Sequence, residues 1–320
     1  MIERRQLQID GLRLSYLEQG RATSDKPSLL LLHGLMGCAD TFAPLIHELT
    51  PDQHVIALDL PGAGQSERRD SIDASLYITA KLIDCFLTAL NLQQPIVLGH
   101  SHGGAVAMSL AAHRLSAHRQ DGHHPDALRS LILLAPAHPY FDEGDPLIRF
   151  YLSLPGRLFA YTMPWLPEWL QMMGLRRMAG PQSWDTPERL KPYRENLRTP
   201  GTMSHLLRLL RTWHKDMSGL RRVLRRSLAT PSLLIWGDSD RAVPAYSAAA
   251  LRTHLLQSEL ITLPGIGHRP AEESPKVVAQ FVHYWLQKDI GAAPARYSPN
   301  SSASHSRITP LITPSFDSGD

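Results

Sequence analysis

Cysteine is nearly absent from this chain: 320 residues hold two, Cys38 and Cys85. Their spacing fits neither a redox pair nor a metal ribbon, so a disulfide framework is not indicated. Excess charge of one sign is also scarce. Lys and Arg total 33 against 30 Asp and Glu, a formal net charge of +3, too little to argue for a nucleic-acid partner. No apolar run reaches the roughly 20 residues of a membrane-spanning helix. The opening stretch, Met1 to Asp10, lacks the apolar core and small-residue cleavage site of a secretory signal. A cytoplasmic protein without a transmembrane segment is therefore expected.

What the chain does have is short apolar runs. Leu29–Leu32, Val55–Leu58, Pro95–Leu98, Leu131–Leu134, Leu233–Trp236 and Leu260–Leu263 read as buried strands. Leu12, Leu14 and Tyr16 alternate with polar residues, as in an antiparallel strand. Helical patterns lie between these runs. Phe42 to Leu49 is one. Ser75 to Leu90 is another, with Leu82, Ile83, Phe86, Leu87 and Leu90 on one face. Strands alternating with helices predict an α/β fold, a mostly parallel sheet covered on both faces.

The alternation stops after residue 137. From His138 to Leu228 there is no convincing strand, only helical patterns broken by Pro155, Pro164, Pro167, Pro181, Pro187, Pro192 and Pro200. Leu206, Leu209, Leu210 and Trp213 mark one amphipathic helix. Beyond Gly291 the chain is rich in Ser, Pro and Ala without periodicity, and 297–320 is expected to be a disordered tail.

Chemistry concentrates at Gly99-His100-Ser101-His102-Gly103. The motif follows a strand and precedes the small apolar helix pattern from Gly104 to Ala112. Strand, sharp turn and helix form the setting of a nucleophile elbow, which lifts a serine hydroxyl off a strand end. Serine needs a base, and the base needs an orienting acid. Gly237-Asp238-Ser239-Asp240 follows one later strand and offers two carboxylates. Pro264-Gly265-Ile266-Gly267-His268 follows the next. Both loops leave the carboxyl ends of strands, where open α/β sheets place their sites.

Taken together, these segments resemble the α/β-hydrolase superfamily, in its capped, esterase-like and epoxide-hydrolase-like branch. Three further segments carry the likeness: Leu29 to Gly37 with His33-Gly34, the Asp59-Leu60-Pro61-Gly62-Ala63-Gly64-Gln65-Ser66 turn, and Gly267-His268 followed by Glu272-Glu273-Ser274-Pro275. The resemblance spans about residues 5 to 288. It implies a core of residues 1–137 and 230–290 and a helical cap at 138–229. It implies Ser101 as nucleophile, His268 as base and Asp240 as acid. Asp240 is preferred to Asp238 because the family pattern is Gly-x-x-Asp. The backbone N–H groups of Leu35 and His102 would form the oxyanion hole, and His33 would hold its loop.

No cofactor and no metal are implied. Serine at position 101 argues against dehalogenation and epoxide opening, for which relatives use an aspartate nucleophile. The expected function is hydrolysis of a carboxylic ester of a small or medium apolar acid. The alternatives are an acyltransferase, a carbon–carbon-bond hydrolase, a cofactor-free perhydrolase or a slow-turnover small-molecule receptor. Trp165, Trp169 and Met172 are the first candidates for a pocket wall. Most other cap aromatics, among them Phe150, Tyr151, Phe159 and Trp184, are expected to build the cap's own core. The cap arginines Arg176, Arg177, Arg208, Arg211, Arg221, Arg222, Arg225 and Arg226 are read as a solvated face, with an anionic substrate or membrane surface as the alternative. His113, His118, His123 and His124 are read as a solvated loop and not a metal site.

Overall fold

A strand such as Leu29–Leu32 has no polar face, so it is stable only with cover on both sides. The computed structural model describes residues 2–23, 26–117, 128–141, 146–181, 186–226 and 228–291, and it meets that demand. Strands β1 (Glu3–Ile9), β2 (Leu12–Gln19), β3 (Leu29–Leu32), β4 (Val55–Leu58), β5 (Ile96–His100), β6 (Ser130–Leu134), β7 (Ser232–Gly237) and β8 (Ser258–Leu263) form one sheet. Its order is β1-β2-β4-β3-β5-β6-β7-β8. The β1–β2 and β2–β4 pairs are antiparallel and the remaining pairs parallel.

The period-two rule of strands divides the core between the two faces. Leu30, Leu32, Val97, Leu131, Leu133, Leu234 and Trp236 point to one side. There they meet α2 (Leu76–Ala89) and α3 (His102–Ala117). Leu29, Leu31, Ile96, Leu98, Ile132, Leu134, Leu233 and Ile235 point to the other. They are covered by α1 (Ala43–Glu48) and α11 (Pro275–Gly291). Most of these side chains are fully buried, and truncating one to alanine typically costs about 2–5 kcal/mol.

One strand escaped the sequence reading. β1 has the sequence Glu-Arg-Arg-Gln-Leu-Gln-Ile and is mostly exposed. It forms by adding to β2, with Glu3 opposite Glu18 and Ile9 opposite Leu12. An edge strand needs little apolar content of its own, and charge on it discourages further pairing.

Between β6 and β7 the described residues contain helices and no strand: α4 (Pro146–Leu152), α5 (Leu154–Thr162), α6 (Glu168–Met178), α7 (Pro187–Arg198) and α8 (Thr202–Leu224). Most of the prolines sit where helices begin. Pro155 lies in the first turn of α5 and Pro187 in that of α7. Pro192 is different, because it lies inside α7 and does not break it. α8 carries the strongest two-faced pattern. Trp213, Met217, Leu220 and Leu224 join the core beneath, and Met203 and Leu207 pack with Ala160 of α5. The remaining helices are α9 (Ala248–Arg252) and α10 (Pro270–Glu273). No helix among the described residues is long and apolar enough to cross a membrane. His118, His123, His124, Trp184 and the tail at 297–320 lie outside the described residues.

Candidate active site

The turn after β5 is tight enough to dictate its residues. Ser101 has φ of 51°, in the left-handed region that costs a non-glycine residue about 1–3 kcal/mol. Its N–H donates to the Leu134 carbonyl at 3.0 Å, and its own carbonyl accepts from Gly104 and Ala137, each at 2.9 Å. These bonds hold the strained turn. A Cβ on Gly103 would lie 2.1 Å from the Leu32 carbonyl oxygen, so only glycine lets α3 start this close to β3.

The Ser101 hydroxyl donates to His268 Nε2 at 2.9 Å, and His268 Nδ1 donates to Asp240 Oδ2 at 2.8 Å. The other Asp240 oxygen accepts the N–H groups of Ala242 at 2.8 Å and Val243 at 2.9 Å. Both carboxylate oxygens are thus committed, one to the imidazole and one to the turn that follows. Asp238 is turned away. It accepts from Gly265 N–H at 2.8 Å and from the Ser239 hydroxyl at 2.9 Å. Of the two candidate acids, only Asp240 meets the imidazole. Such a chain can take a proton from a hydroxyl as it attacks and return it to a leaving group.

Two residues that position this imidazole were not singled out by sequence. His100 donates from Nε2 to the His268 carbonyl at 2.7 Å. Burial is the main cause that pushes the His100 ring down to about 3, so it is a neutral tether and not a second base. Glu273 accepts N–H groups from Gly267 and Gly180, each at 2.8 Å, and from Arg269 at 2.9 Å. It shapes the histidine loop and ties that loop to the end of the helical segment. The only sequence signal was its place five residues after His268 in a recurring motif.

Leu35 and His102 line one pocket, and neither backbone N–H donates a hydrogen bond among the described residues. His33 accepts the Leu60 N–H at Nε2, 3.0 Å, so its proton sits on Nδ1 and is donated to the Gly34 carbonyl at 2.9 Å. Burial lowers its pKa. Its role is to join the Gly34 loop to the Asp59–Ser66 turn. Asn196 of α7 braces the same loop, donating to the Met36 carbonyl at 2.8 Å and the Gly37 carbonyl at 2.9 Å while accepting from Gly64 N–H at 2.7 Å.

A narrow pocket opens beside these residues. Leu60, Ala63, Leu206 and Leu209 supply apolar wall, and His102, His205 and Thr202 supply polar atoms. The expected wall residues are elsewhere. Trp165 and Trp169 are 66% and 63% exposed, and Met172 is buried with Leu175, Leu190 and Tyr193. Helical periodicity alone could not tell the outer face of these helices from the inner one. Cys38, Asp40 and Asp59 bring potential metal-ligand atoms within 4.8 Å of one another. Arg4 already bonds both carboxylates there, at 2.5 Å and 2.7 Å. His113, the one described member of the histidine-rich stretch, lies 3.6 Å from Asp84.

Burial has a further consequence. It holds His102 and His138 down to about 3, and His205, whose neighbours include Arg208 and Arg68, to about 4. Unfolded, each would titrate near 6.5. Above that pH both states are neutral and stability is flat. Below it the unfolded chain binds protons that the folded chain refuses. Each histidine then removes up to about 1.4 kcal/mol per pH unit until its folded pKa is reached. Urea midpoints should therefore fall steeply between about pH 6.5 and pH 4. A flat profile there would show that these rings take up protons while folded.

Residues 27–275 match the family model described as alpha/beta hydrolase fold. Similar proteins include the uncharacterized hydrolase YugF of Bacillus subtilis (strain 168), 27% identical over 278 residues, which cover 87% of this chain and 96% of that one. Monoacylglycerol lipase ABHD6 of Mus musculus is 23% identical over 276 residues, 85% of this chain and 79% of that one. Among solved structures, haloalkane dehalogenase DbeA from Bradyrhizobium elkani USDA94 aligns with a TM-score of 0.72 at 22% identity, over 92% of this chain and 100% of that one. A likeness at that identity speaks for the fold alone. With sequence match and sheet order in agreement, the chain belongs to the α/β-hydrolase fold family of enzymes.

Proposed function

We propose that this enzyme is a cofactor-free serine hydrolase that cleaves a carboxylic ester of a small or medium apolar acid. One observation carries the reading: the unbroken hydrogen-bonded chain from the Ser101 hydroxyl through His268 to Asp240. Ser101 Oγ attacks the ester carbonyl carbon as its proton passes to His268 Nε2. The carbonyl oxygen becomes an oxyanion, held by the Leu35 and His102 N–H groups at the amino end of α3. Collapse breaks the ester C–O bond, and His268 returns the proton to the departing alcohol. Water, losing its proton to His268, then attacks the acyl-serine and releases the acid. Asp240 keeps the imidazole in the tautomer that both halves require.

The pocket supports the substrate class. Its wall is part apolar, as a site for an apolar acyl group requires. The nucleophile argues against alkyl transfer. Displacement at a saturated carbon would leave a serine ether, which has no carbonyl for water to attack. The dehalogenase likeness is therefore read as one of fold and not of reaction.

Fluorophosphonate labelling followed by peptide mapping tests the proposal. The label should sit on Ser101, and prior incubation with a p-nitrophenyl ester of a short acid should slow it. Ester turnover that persists after complete labelling, or a label mapped elsewhere, would overturn the assignment.

A further inference from the structure

Fourteen large apolar side chains are exposed among the described residues, and eight of them fall between Phe150 and Met173. Their placement reverses the usual rule for surface helices. In α5 the small residues Gly156 and Ala160 point inward. Leu154, Leu158 and Tyr161 point out, at 73%, 62% and 50% exposure. A Cβ on Gly156 would lie 1.8 Å from the Phe150 carbonyl oxygen, so no larger residue fits inward there. α6 packs Met172 and Leu175 inward and turns Trp169 and Met173 out, with Trp165 one turn before them.

The same segment is basic. Residues 146–178 hold four arginines and one acid, Glu168, and Glu168 is already bonded to Arg194 at 2.7 Å. Arg176 and Arg177 are exposed at the end of α6, without an acidic partner among the described residues. The Arg198 guanidinium lies 4.9 Å from the Trp165 ring centre.

We infer that the outer face of α5 and α6 is a docking surface for an anionic lipid membrane. Exposed leucines supply the apolar area that enters the acyl boundary. Tyr161, Trp165 and Trp169 have the apolar body and polar tip that settle at headgroup level. The unpaired arginines match anionic headgroups. Charge complementarity selects lipid over a second copy of the chain, because a two-fold contact through this face would bring two sets of unpaired arginines together. The location also fits. Ala160 of α5 packs on Met203 and Leu207 of α8, and Leu206 and Leu209 of α8 line the pocket. The docked face is thus one helix away from the pocket. This inference does not depend on the proposed chemistry, and Ser101→Ala should bind vesicles like the wild type.

Co-sedimentation of the full chain with vesicles tests it, using phosphatidylcholine with or without phosphatidylglycerol. The wild type should favour the phosphatidylglycerol vesicles, bind less as salt rises, and shift its tryptophan emission to the blue. Leu154→Ser with Leu158→Ser should weaken binding about tenfold or more. Arg176→Gln with Arg177→Gln should erase the preference for phosphatidylglycerol. Because both arginines are exposed, that variant should fold even if the serine variant does not. Three results would overturn the inference: no vesicle binding by the wild type, binding that neither folded variant alters, or a lipid-free dimer that Leu158→Ser dissociates.

Discussion

Ser101→Ala should lower hydrolysis of p-nitrophenyl butyrate by about 10⁶-fold, the loss known for a nucleophile removed from such a relay. That corresponds to about 8 kcal/mol of barrier. The size follows from what remains. The proposed Leu35 and His102 donors remain, but no atom is left for the acyl group to bond. The fold should be spared. The Ser101 side chain makes one hydrogen bond, to His268, whereas the strained turn is held by backbone bonds to Leu134, Gly104 and Ala137. Thermal melts and steady-state rates on the purified variant check both halves. A rate within about tenfold of wild type, a barrier change of only about 1.4 kcal/mol, would remove Ser101 from the chemistry.

Asp240→Asn should cost about 10⁴ in kcat, and the structure gives the reason in advance. Ala242 and Val243 both donate to Asp240 Oδ1, so an amide at this position must keep its oxygen there. Its NH₂ then faces His268 Nδ1 and donates to it. The imidazole proton is driven to Nε2, the nitrogen that should receive the proton of Ser101. Asp238→Asn should change the rate little, since its contacts are donors that an amide oxygen still satisfies. Rates of the two variants under identical conditions decide the matter, and a larger loss at position 238 would reassign the acid.

Much of this arrangement was written in local sequence. The buried strands announce themselves because both faces of a parallel sheet need apolar residues, so short apolar runs such as Leu29–Leu32 and Leu131–Leu134 read as strands. The elbow is equally local, since the glycines around Ser101 answer to contacts with β3 and the start of α3. Asp240 and His268 were reachable because each follows a strand in a recognisable pattern.

What sequence could not decide depends on surfaces meeting. β1 is polar and becomes a strand only because β2 offers an unpaired edge. The tethers on His268 come from β5, in His100, and from beyond the histidine loop, in Glu273. Each is an ordinary polar residue until folding brings its partner within about 3 Å. The pocket wall shows the limit most clearly. Trp165 and Trp169 have the chemistry of a wall, and periodicity placed them on helices. Which side of such a helix faces inward is settled by close packing of Gly156, Ala160, Met172 and Leu175 against their neighbours. That packing turns these residues inward and leaves the tryptophans outside. Local sequence therefore determined the buried strands and the serine and histidine of the candidate relay, and the family resemblance chose its acid. Tertiary packing alone decided which residues of the helices between β6 and β7 meet the pocket and which meet the surroundings, because orientation is a property of two surfaces in contact and not of one segment.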